Sequence, residues 1–303
     1  MMLPKRLISL TFLIFVLTSG CGTNQALPDP VYHPEMFNPD RAFQDVVTQV
    51  EFGPRYSGSE GHALFRAWLV DSLEQAGWQT GVLEGSFAGH PIYNIEACRN
   101  RAQQFEDPYI LLGAHYDTRI FADRDPVAEK RSLPVPGAND GASGVAVLLE
   151  IARTLPEGYL EPICLVFFDA EDNGHIMDWD WAVGSQIYAE QLSIYPSAVV
   201  IVDMVGDQDQ YFPIEQNSDP DLVAEIWGAA EQLGVISFSS DQGYSILDDH
   251  TAFVRLGIPA LDIIDLDYPY WHTTADTEEH VSAASLKNVG DVLLFWLLGP
   301  SSN

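Results

Sequence analysis

Continuous apolar runs alternate with segments of helical spacing along most of the chain. The runs are rich in Val, Ile, Leu and Phe, which is typical of strands buried on both faces, and they cover residues 92–98, 109–115, 161–169, 197–203 and 259–264. Apolar residues recur at helical intervals over residues 40–50, 60–76, 141–155, 183–193, 219–233 and 282–298. This alternation predicts one α/β domain of three layers, with helices on both faces of the central sheet.

The first 38 residues do not share this pattern. Lys5 and Arg6 precede a short apolar run, and small residues follow it up to Cys21. A positively charged start, an apolar stretch and small residues at the cleavage site are typical of a signal peptide. The apolar run is too short to predict a membrane span. We therefore expect a signal peptide over residues 1–20, a polar, proline-rich tether over 21–38 and a catalytic domain over 39–303.

Cys21 resembles the lipidated cysteine of bacterial lipoproteins because it follows Ser-Gly. Thr18 stands where leucine is usual, with Leu17 one position further back. The sequence predicts an exported protein that is either held at the bacterial cell envelope by a lipid on Cys21 or secreted. In the first case the lipid would be its only membrane contact.

Charge and cysteine content narrow the function classes. The formal net charge of −30 repels phosphate backbones, so nucleic acid is not expected as a partner. Cys98 and Cys164 lie in two of the strand-like runs. They are either buried thiols or, if the two strands are neighbours in an oxidising compartment, a disulfide.

Acids and histidines follow the predicted strands. In open α/β sheets, sites form at the carboxyl ends of the strands. The polar residues at these ends and at one helix start are His115, Asp117, Asp140, Asp169, Glu171, Asp172, Asp203, Asp207 and His272. Any one of them alone would be a helix cap or a loop residue. Together, however, converging carboxylates would repel one another without a cation, and His with Asp or Glu suits zinc.

Six motifs carry a resemblance to a known family. AHYDT, GANDGASG, FFDAED, VDMVGD, DDHTAFVRLGIPAL and WHTTADT follow one another in the order found in the zinc aminopeptidase superfamily, which also contains the animal-type glutaminyl cyclases. The resemblance spans roughly residues 40 to 298, and GPRYSGSEGH is similar to the family's N-terminal loop. It implies a zinc aminopeptidase-like α/β/α fold with a mixed, mostly parallel central sheet, and an enzyme that acts on the N-termini of peptides or proteins.

The resemblance implies a different zinc count for each branch. In the aminopeptidases the matching positions would hold two ions, with His115, Asp140 and Asp203 on one and Asp140, Asp172 and His272 on the other. In the cyclases a single zinc would be held by the second set. Glu171 would move the protons in both, as general base or as proton carrier.

Three features favour the cyclase branch. Trp271 directly precedes His272, as in the cyclases, and a flat apolar ring there shapes a small pocket and sheds water. Asp248 stands where the aminopeptidases more often have serine, so the resemblance implies that it binds the substrate amine and shares a hydrogen-bond network with Asp203. The segment after Asp172 carries Trp179 and Trp181, and the pattern leaves open whether either lines the pocket.

Two positions depart from the animal enzymes. Asp172 is shorter than their glutamate, and Asp262 replaces a histidine. The function expected from the sequence is a zinc-dependent glutaminyl-peptide cyclotransferase, an acyltransferase. The alternatives are a zinc aminopeptidase and a catalytically silent binding lipoprotein on the same fold.

Overall fold

The structure is a computed structural model that describes residues 30–99 and 108–300. The predicted signal peptide, the first half of the predicted tether and Cys21 lie outside these residues. The remaining tether residues, 30–38, pack onto the domain, since Tyr32 and Phe37 are buried. The domain therefore begins earlier than the predicted boundary at residue 39.

Helices occupy all six segments where helical spacing predicts them, and a short one is added. In the described residues they are α1 (Pro39–Glu51), α2 (Glu60–Gln75), α3 (Ala142–Thr154), α4 (Val183–Glu190), α5 (Pro220–Leu233), α6 (His250–Val254) and α7 (Ala283–Leu298). Four of them begin at side-chain caps: Asn38, Ser59, Asp219 and Ser282 each accept a hydrogen bond from a backbone N–H of the first turn.

The strands comprise the five predicted ones and three others. They are β1 (Gln79–Phe87), β2 (His90–Arg99), β3 (Ile110–His115), β4 (Ile163–Phe168), β5 (Ala198–Asp203), β6 (Phe212–Ile214), β7 (Phe238–Gln242) and β8 (Ala260–Ile264). The central sheet has the order β1-β2-β4-β3-β5-β8. Its β4-β3-β5-β8 part is parallel, whereas β2 pairs antiparallel with both β1 and β4.

Side chains of the central strands alternate between two apolar layers. On β3, Leu112 packs with the helices α1, α2, α3, α5 and α7, while Leu111 packs on the opposite face with Tyr188 of α4 and Phe253 of α6. Both faces of the sheet are therefore covered, which explains why its strands read as continuous apolar runs. This arrangement confirms the predicted three-layer α/β/α fold.

The two cysteines left open by the sequence form a disulfide. Cys98 of β2 and Cys164 of β4 lie directly opposite each other in the antiparallel register. As for membrane contact, none of the helices in residues 30–99 and 108–300 is long and apolar enough to cross a bilayer.

Candidate metal centre

The predicted metal ligands meet at the carboxyl edge of the sheet. His115 and Asp203 are the last residues of the neighbouring parallel strands β3 and β5. Asp172 follows β4, Asp140 precedes α3, and His272 lies in the loop after β8. All five side chains are buried. The parallel pairing of β4, β3, β5 and β8 places these residues together although they are far apart in the sequence.

Asp140 lies between two groups of possible ligands. Its Oδ1 is 3.1 Å from His115 Nε2, which is also 3.1 Å from Asp203 Oδ1. Its Oδ2 is 3.7 Å from His272 Nε2, which is 2.8 Å from Asp172 Oδ1. Within each group the ligand atoms lie within 4.8 Å of one another. The structure thus brings together both triads that the resemblance implies.

The two triads fit a divalent metal. Asp140 Oδ2 and Asp172 Oδ2 are buried and have no hydrogen-bond partner among the described residues. Burial lowers the pKa of His272 to about 3, so its imidazole is neutral, which is the form that binds metals. Carboxylate oxygens and imidazole nitrogens together form a donor set that zinc accepts.

Two further aspartates hold the ligand loops in place. Asp117 accepts hydrogen bonds from the backbone N–H groups of Glu171 at 2.9 Å and Asp172 at 3.3 Å. Asp276 accepts them from the backbone N–H groups of Asn139 and Asp140 at 2.8 and 3.2 Å. Such outer partners fix the direction of the ligand side chains.

The backbone beside the ligands adopts conformations that are uncommon for residues with side chains. Ala170, Met204 and His272 have φ angles of 56°, 48° and 57°. Each is a ligand or stands within two residues of one of the site carboxylates. Left-handed residues other than glycine cost free energy and persist only where the surrounding structure imposes them, which is a common property of functional sites.

A cavity of about 280 Å³ opens onto the acidic groups. Its lining includes Glu171, Asp203 and Asp248 with the metal ligands Asp140 and Asp172. Apolar groups line the remainder, chiefly Trp181, Trp271, Ile246, Leu247 and Ile264. This size is at the lower end of ligand cavities and suits one side chain, rather than a long stretch of peptide.

The structure distinguishes between the two loop tryptophans. Trp181 stacks on the His272 ring, with ring centroids 5.9 Å apart and an angle of 12° between the planes. Gly174 also lies against the Trp181 ring, where a Cβ atom would come within 2.1 Å of it. Trp179 instead packs against Phe87 and His90, outside the cavity lining. Of the two candidates, only Trp181 reaches the site.

Two carboxyl groups of the cavity have raised pKa values, which suits them to proton transfer. Burial raises the pKa of Glu171 well above its ordinary value, and the nearby Asp248 adds to the rise. Burial also raises the pKa of Asp203 to about 7, against the opposing effect of His115 and with a further rise from Asp248. The negative charge of Asp248 thus acts on both Glu171 and Asp203, and the hydrogen-bond network of Asp203 and Asp248 stays a prediction.

Several residues that support the site were not predicted individually. Arg119 donates a 2.6 Å hydrogen bond to the carbonyl of Asp172 and lies over the Trp181 ring, 5.0 Å from its centroid. Behind Asp248, the buried His250 lies 3.1 Å from Glu215 and 3.5 Å from Asp262, the residue that departs from the animal enzymes. The local sequence around Arg119 and Glu215 contains no motif that marks them.

Known proteins resemble the chain in sequence and in structure. A glutaminyl-peptide cyclotransferase of Boiga irregularis is 26% identical over 292 residues, with 80% of this chain and 77% of the relative covered. The glutaminyl cyclase of Porphyromonas gingivalis superposes with a TM-score of 0.82 at 32% identity, covering 86% of this chain and 98% of that one. A Zn-dependent exopeptidase from Parabacteroides distasonis gives 0.81 at 32% identity, covering 87% and 98%.

The family follows from a match to a family model. The model of "Peptidase family M28" matches residues 94–297, which is more than half of the sequence. The chain therefore belongs to peptidase family M28.

Proposed function

We propose that this protein is a zinc-dependent glutaminyl-peptide cyclotransferase, which converts the N-terminal glutamine of peptides to pyroglutamate and releases ammonia. The observation that carries the proposal is the cavity itself. It places Glu171, Asp203 and Asp248 together beside the metal ligands, under a wall formed by Trp181 and Trp271. The names of the relatives and structural neighbours, most of them glutaminyl cyclases, support it.

The reaction needs one proton carrier and a fixed substrate conformation. The zinc, held by Asp140, Asp172 and His272, would supply Lewis acidity at the side-chain carbonyl of glutamine. The α-amine attacks the side-chain carbonyl carbon, a C–N bond forms, and the bond to the amide nitrogen breaks. Glu171 takes a proton from the α-amine and delivers one to the departing nitrogen, which leaves as ammonia.

The other cavity residues position the substrate. Asp248 binds the α-amine and shares a hydrogen-bond network with Asp203, since both carboxyl groups lie on the cavity lining with Glu171. Trp181 and Trp271 hold the glutamine side chain folded toward its own amine, which gives an intramolecular attack its advantage. The two rings also exclude water, which would otherwise hydrolyse the amide.

An aminopeptidase is the second candidate, since both ligand triads are intact. His115, Asp140 and Asp203 converge as closely as Asp140, Asp172 and His272 do, and an exopeptidase is among the structural neighbours. Our proposal assigns one zinc per chain, with Asp203 serving the amine through Asp248. The aminopeptidase would carry two zincs and use Glu171 as the base toward water.

Metal content and two assays on one preparation separate the candidates. We expect one zinc per chain, ammonia release from glutaminyl peptides and no hydrolysis of aminoacyl anilides. Two zincs with anilide hydrolysis and no ammonia would contradict the cyclase proposal. Absence of both metal and activity would contradict both enzyme candidates and favour the binding lipoprotein on the same fold.

A substitution tests the role of Glu171. Glu171→Gln keeps the shape but cannot carry a proton, so zinc content should stay unchanged while kcat falls by about 10²–10⁴-fold. Glu190→Gln, at an exposed position ending α4, is the matched control and should keep full activity. Retained turnover in Glu171→Gln would remove Glu171 from this role.

The proposal extends to export. Residues 1–20 act as a signal peptide, and the protein is anchored through a lipid on Cys21 or secreted. The Cys98–Cys164 disulfide supports export, because disulfides persist in oxidising compartments. In a bacterial host, fractionation and mass spectrometry should find the lipidated protein with the membranes and Cys21→Ala in the soluble fraction. An unprocessed N-terminus in the cytoplasm would contradict export.

A further inference from the structure

A second groove adjoins the catalytic cavity on the far side of Trp271. It has a volume of about 660 Å³ and is more open than the cavity. Tyr244, Leu266 and Trp271 line both of them. Because the cavity accommodates one side chain, a peptide bound there by its first residue has to continue outward, and this groove begins at the shared wall.

Arg124 is the cationic side chain of this groove. Its guanidinium lies over the Trp271 ring, 3.9 Å from the centroid, and its backbone N–H donates a 3.2 Å hydrogen bond to the carbonyl of His272. The residue is therefore fixed to the loop that carries both the metal ligand and the pocket tryptophan. It remains exposed to solvent.

The neighbouring charges leave this guanidinium free to bind an anion. Asp123, the preceding residue, forms an ion pair with Arg119, with 2.8 Å between Nε and Oδ1. Asp125 accepts hydrogen bonds from the hydroxyl and backbone N–H groups of Thr274. No carboxylate of residues 30–99 and 108–300 forms an ion pair with Arg124.

The local charge differs from that of the whole chain. The loop of residues 119–131 contains four of the 14 Lys and Arg residues and three acids, a net charge of 4 − 3 = +1, in a chain of formal net charge −30. Asp267 is the one carboxylate on the groove lining and is exposed. A substrate residue in the groove thus meets a cation fixed against Trp271 and the Asp267 carboxylate of the loop after β8.

We propose that the groove binds the residue that follows the N-terminal glutamine, and that Arg124 selects a carboxylate side chain, Asp or Glu, at that position. This inference rests on the proposed function, since it places the first residue in the catalytic cavity. A guanidinium and a carboxylate form a strong charge-assisted pair, and stacking on Trp271 fixes the orientation of the guanidinium before the substrate arrives.

Three peptides with glutamate, glutamine or lysine after the N-terminal glutamine test the selection. All carry a C-terminal amide, so that the terminal carboxylate cannot be the group that Arg124 binds. In the wild type we expect the glutamate peptide to have the highest kcat/KM at 0.15 M salt. Arg124→Gln should lower kcat/KM for this peptide by about 5- to 20-fold, with little change for the glutamine peptide and unchanged zinc content.

Two control variants distinguish the effect of Arg124 from the effect of any other charge near the groove. Lys130→Gln removes a charge from the same loop at an exposed position outside the groove lining, and it should leave the preference intact. Asp267→Asn should raise kcat/KM for the glutamate peptide. The inference is overturned if Arg124→Gln slows all three peptides equally, or if Lys130→Gln has the same effect as Arg124→Gln.

Ammonia and free glutamine are both measured for every peptide. Release of glutamine without ammonia would contradict the proposed cyclase, while the order of the three peptides would still report whether Arg124 selects a carboxylate. Ammonia release at equal kcat/KM from all three peptides would support the cyclase and overturn the selection.

Discussion

Gly141 shows how strictly the backbone around the metal ligands is constrained. It follows Asp140 directly, has a φ of 96°, and a Cβ atom there would lie 2.8 Å from the carbonyl oxygen of Asp117 and 3.2 Å from the His115 ring. A side chain would therefore meet two obstacles: the left-handed conformation, and a contact with rigid groups on both sides of the site.

We expect Gly141→Ala to weaken zinc binding as well as stability. The substitution displaces Asp140 or His115, so zinc affinity should fall by about 10–100-fold, as for changes that disturb ligand orientation. Gly77→Ala is the matched control: Gly77 also has a positive φ, 83°, but its Cβ would meet nothing within 4 Å. Zinc titration and denaturant unfolding on both variants check this, and equal zinc affinities would contradict the prediction.

The predictability of the site residues from the sequence was uneven, for a physical reason. Ligands such as His115 and Asp203 end strands that show clear apolar runs, and the parallel pairing of those strands brings them together. The choice of Trp181 over Trp179 depends instead on a long-range contact with His272 and on the space left by Gly174. Neither leaves a periodic signal in the sequence.

Some secondary structure elements could likewise be predicted from the sequence, and others could not. The buried strands and long helices were predicted because each has one consistent apolar pattern. β1 was missed because it is an edge strand whose side chains are only half-buried or exposed. Its sequence, QTGVLEGSF, therefore shows neither a continuous apolar run nor a regular alternation of apolar and polar residues. β6, β7 and α6 were missed because they have three to five residues each, too few for a period to show.

Asp265, which directly follows β8, should make the stability of the protein depend on pH. Burial raises the pKa of Asp265 to about 7, against the hydrogen bond it accepts from the backbone N–H of Tyr211 and with a further rise from Asp207. The folded state thus binds a proton that the unfolded state releases near its ordinary pKa of about 3.9. This proton therefore contributes its full stabilisation of the folded state below about pH 3.9, and the contribution is lost as the pH rises through 7.

Asp265→Asn should therefore stabilise the protein at pH 8.5 relative to the wild type, with a smaller difference at pH 5.5. Asparagine keeps an oxygen that can accept the Tyr211 hydrogen bond and does not become charged. The gain is at most about 4 kcal/mol in the free energy of unfolding, from 1.36 kcal/mol per pKa unit. Asp267→Asn, at an exposed position two residues away, should show no comparable pH-dependent gain; a gain equal to that of Asp265→Asn would refute the assignment to burial.

The net charge of the whole molecule favours basic peptides, whereas the groove beside Trp271 is proposed to favour acidic ones. A formal net charge of −30 attracts basic peptides and repels acidic ones over distances set by the Debye length, about 30 Å at 0.01 M salt and about 3 Å at 1 M. A contact between Arg124 and a bound carboxylate acts over a few ångströms and is screened much less. Long-range attraction and local selection therefore respond differently to salt.

The ratio of kcat/KM for the glutamate peptide to that for the lysine peptide should accordingly rise with salt. Between 0.01 M and 0.5 M NaCl we expect a rise of about 3- to 10-fold, because the repulsion of the acidic peptide by the whole molecule is removed while the contact at Arg124 persists. In Arg124→Gln the ratio should approach 1 at high salt from below. A wild-type ratio that falls with salt, or one that approaches 1 from below as in Arg124→Gln, would contradict a short-range contact between Arg124 and the bound carboxylate.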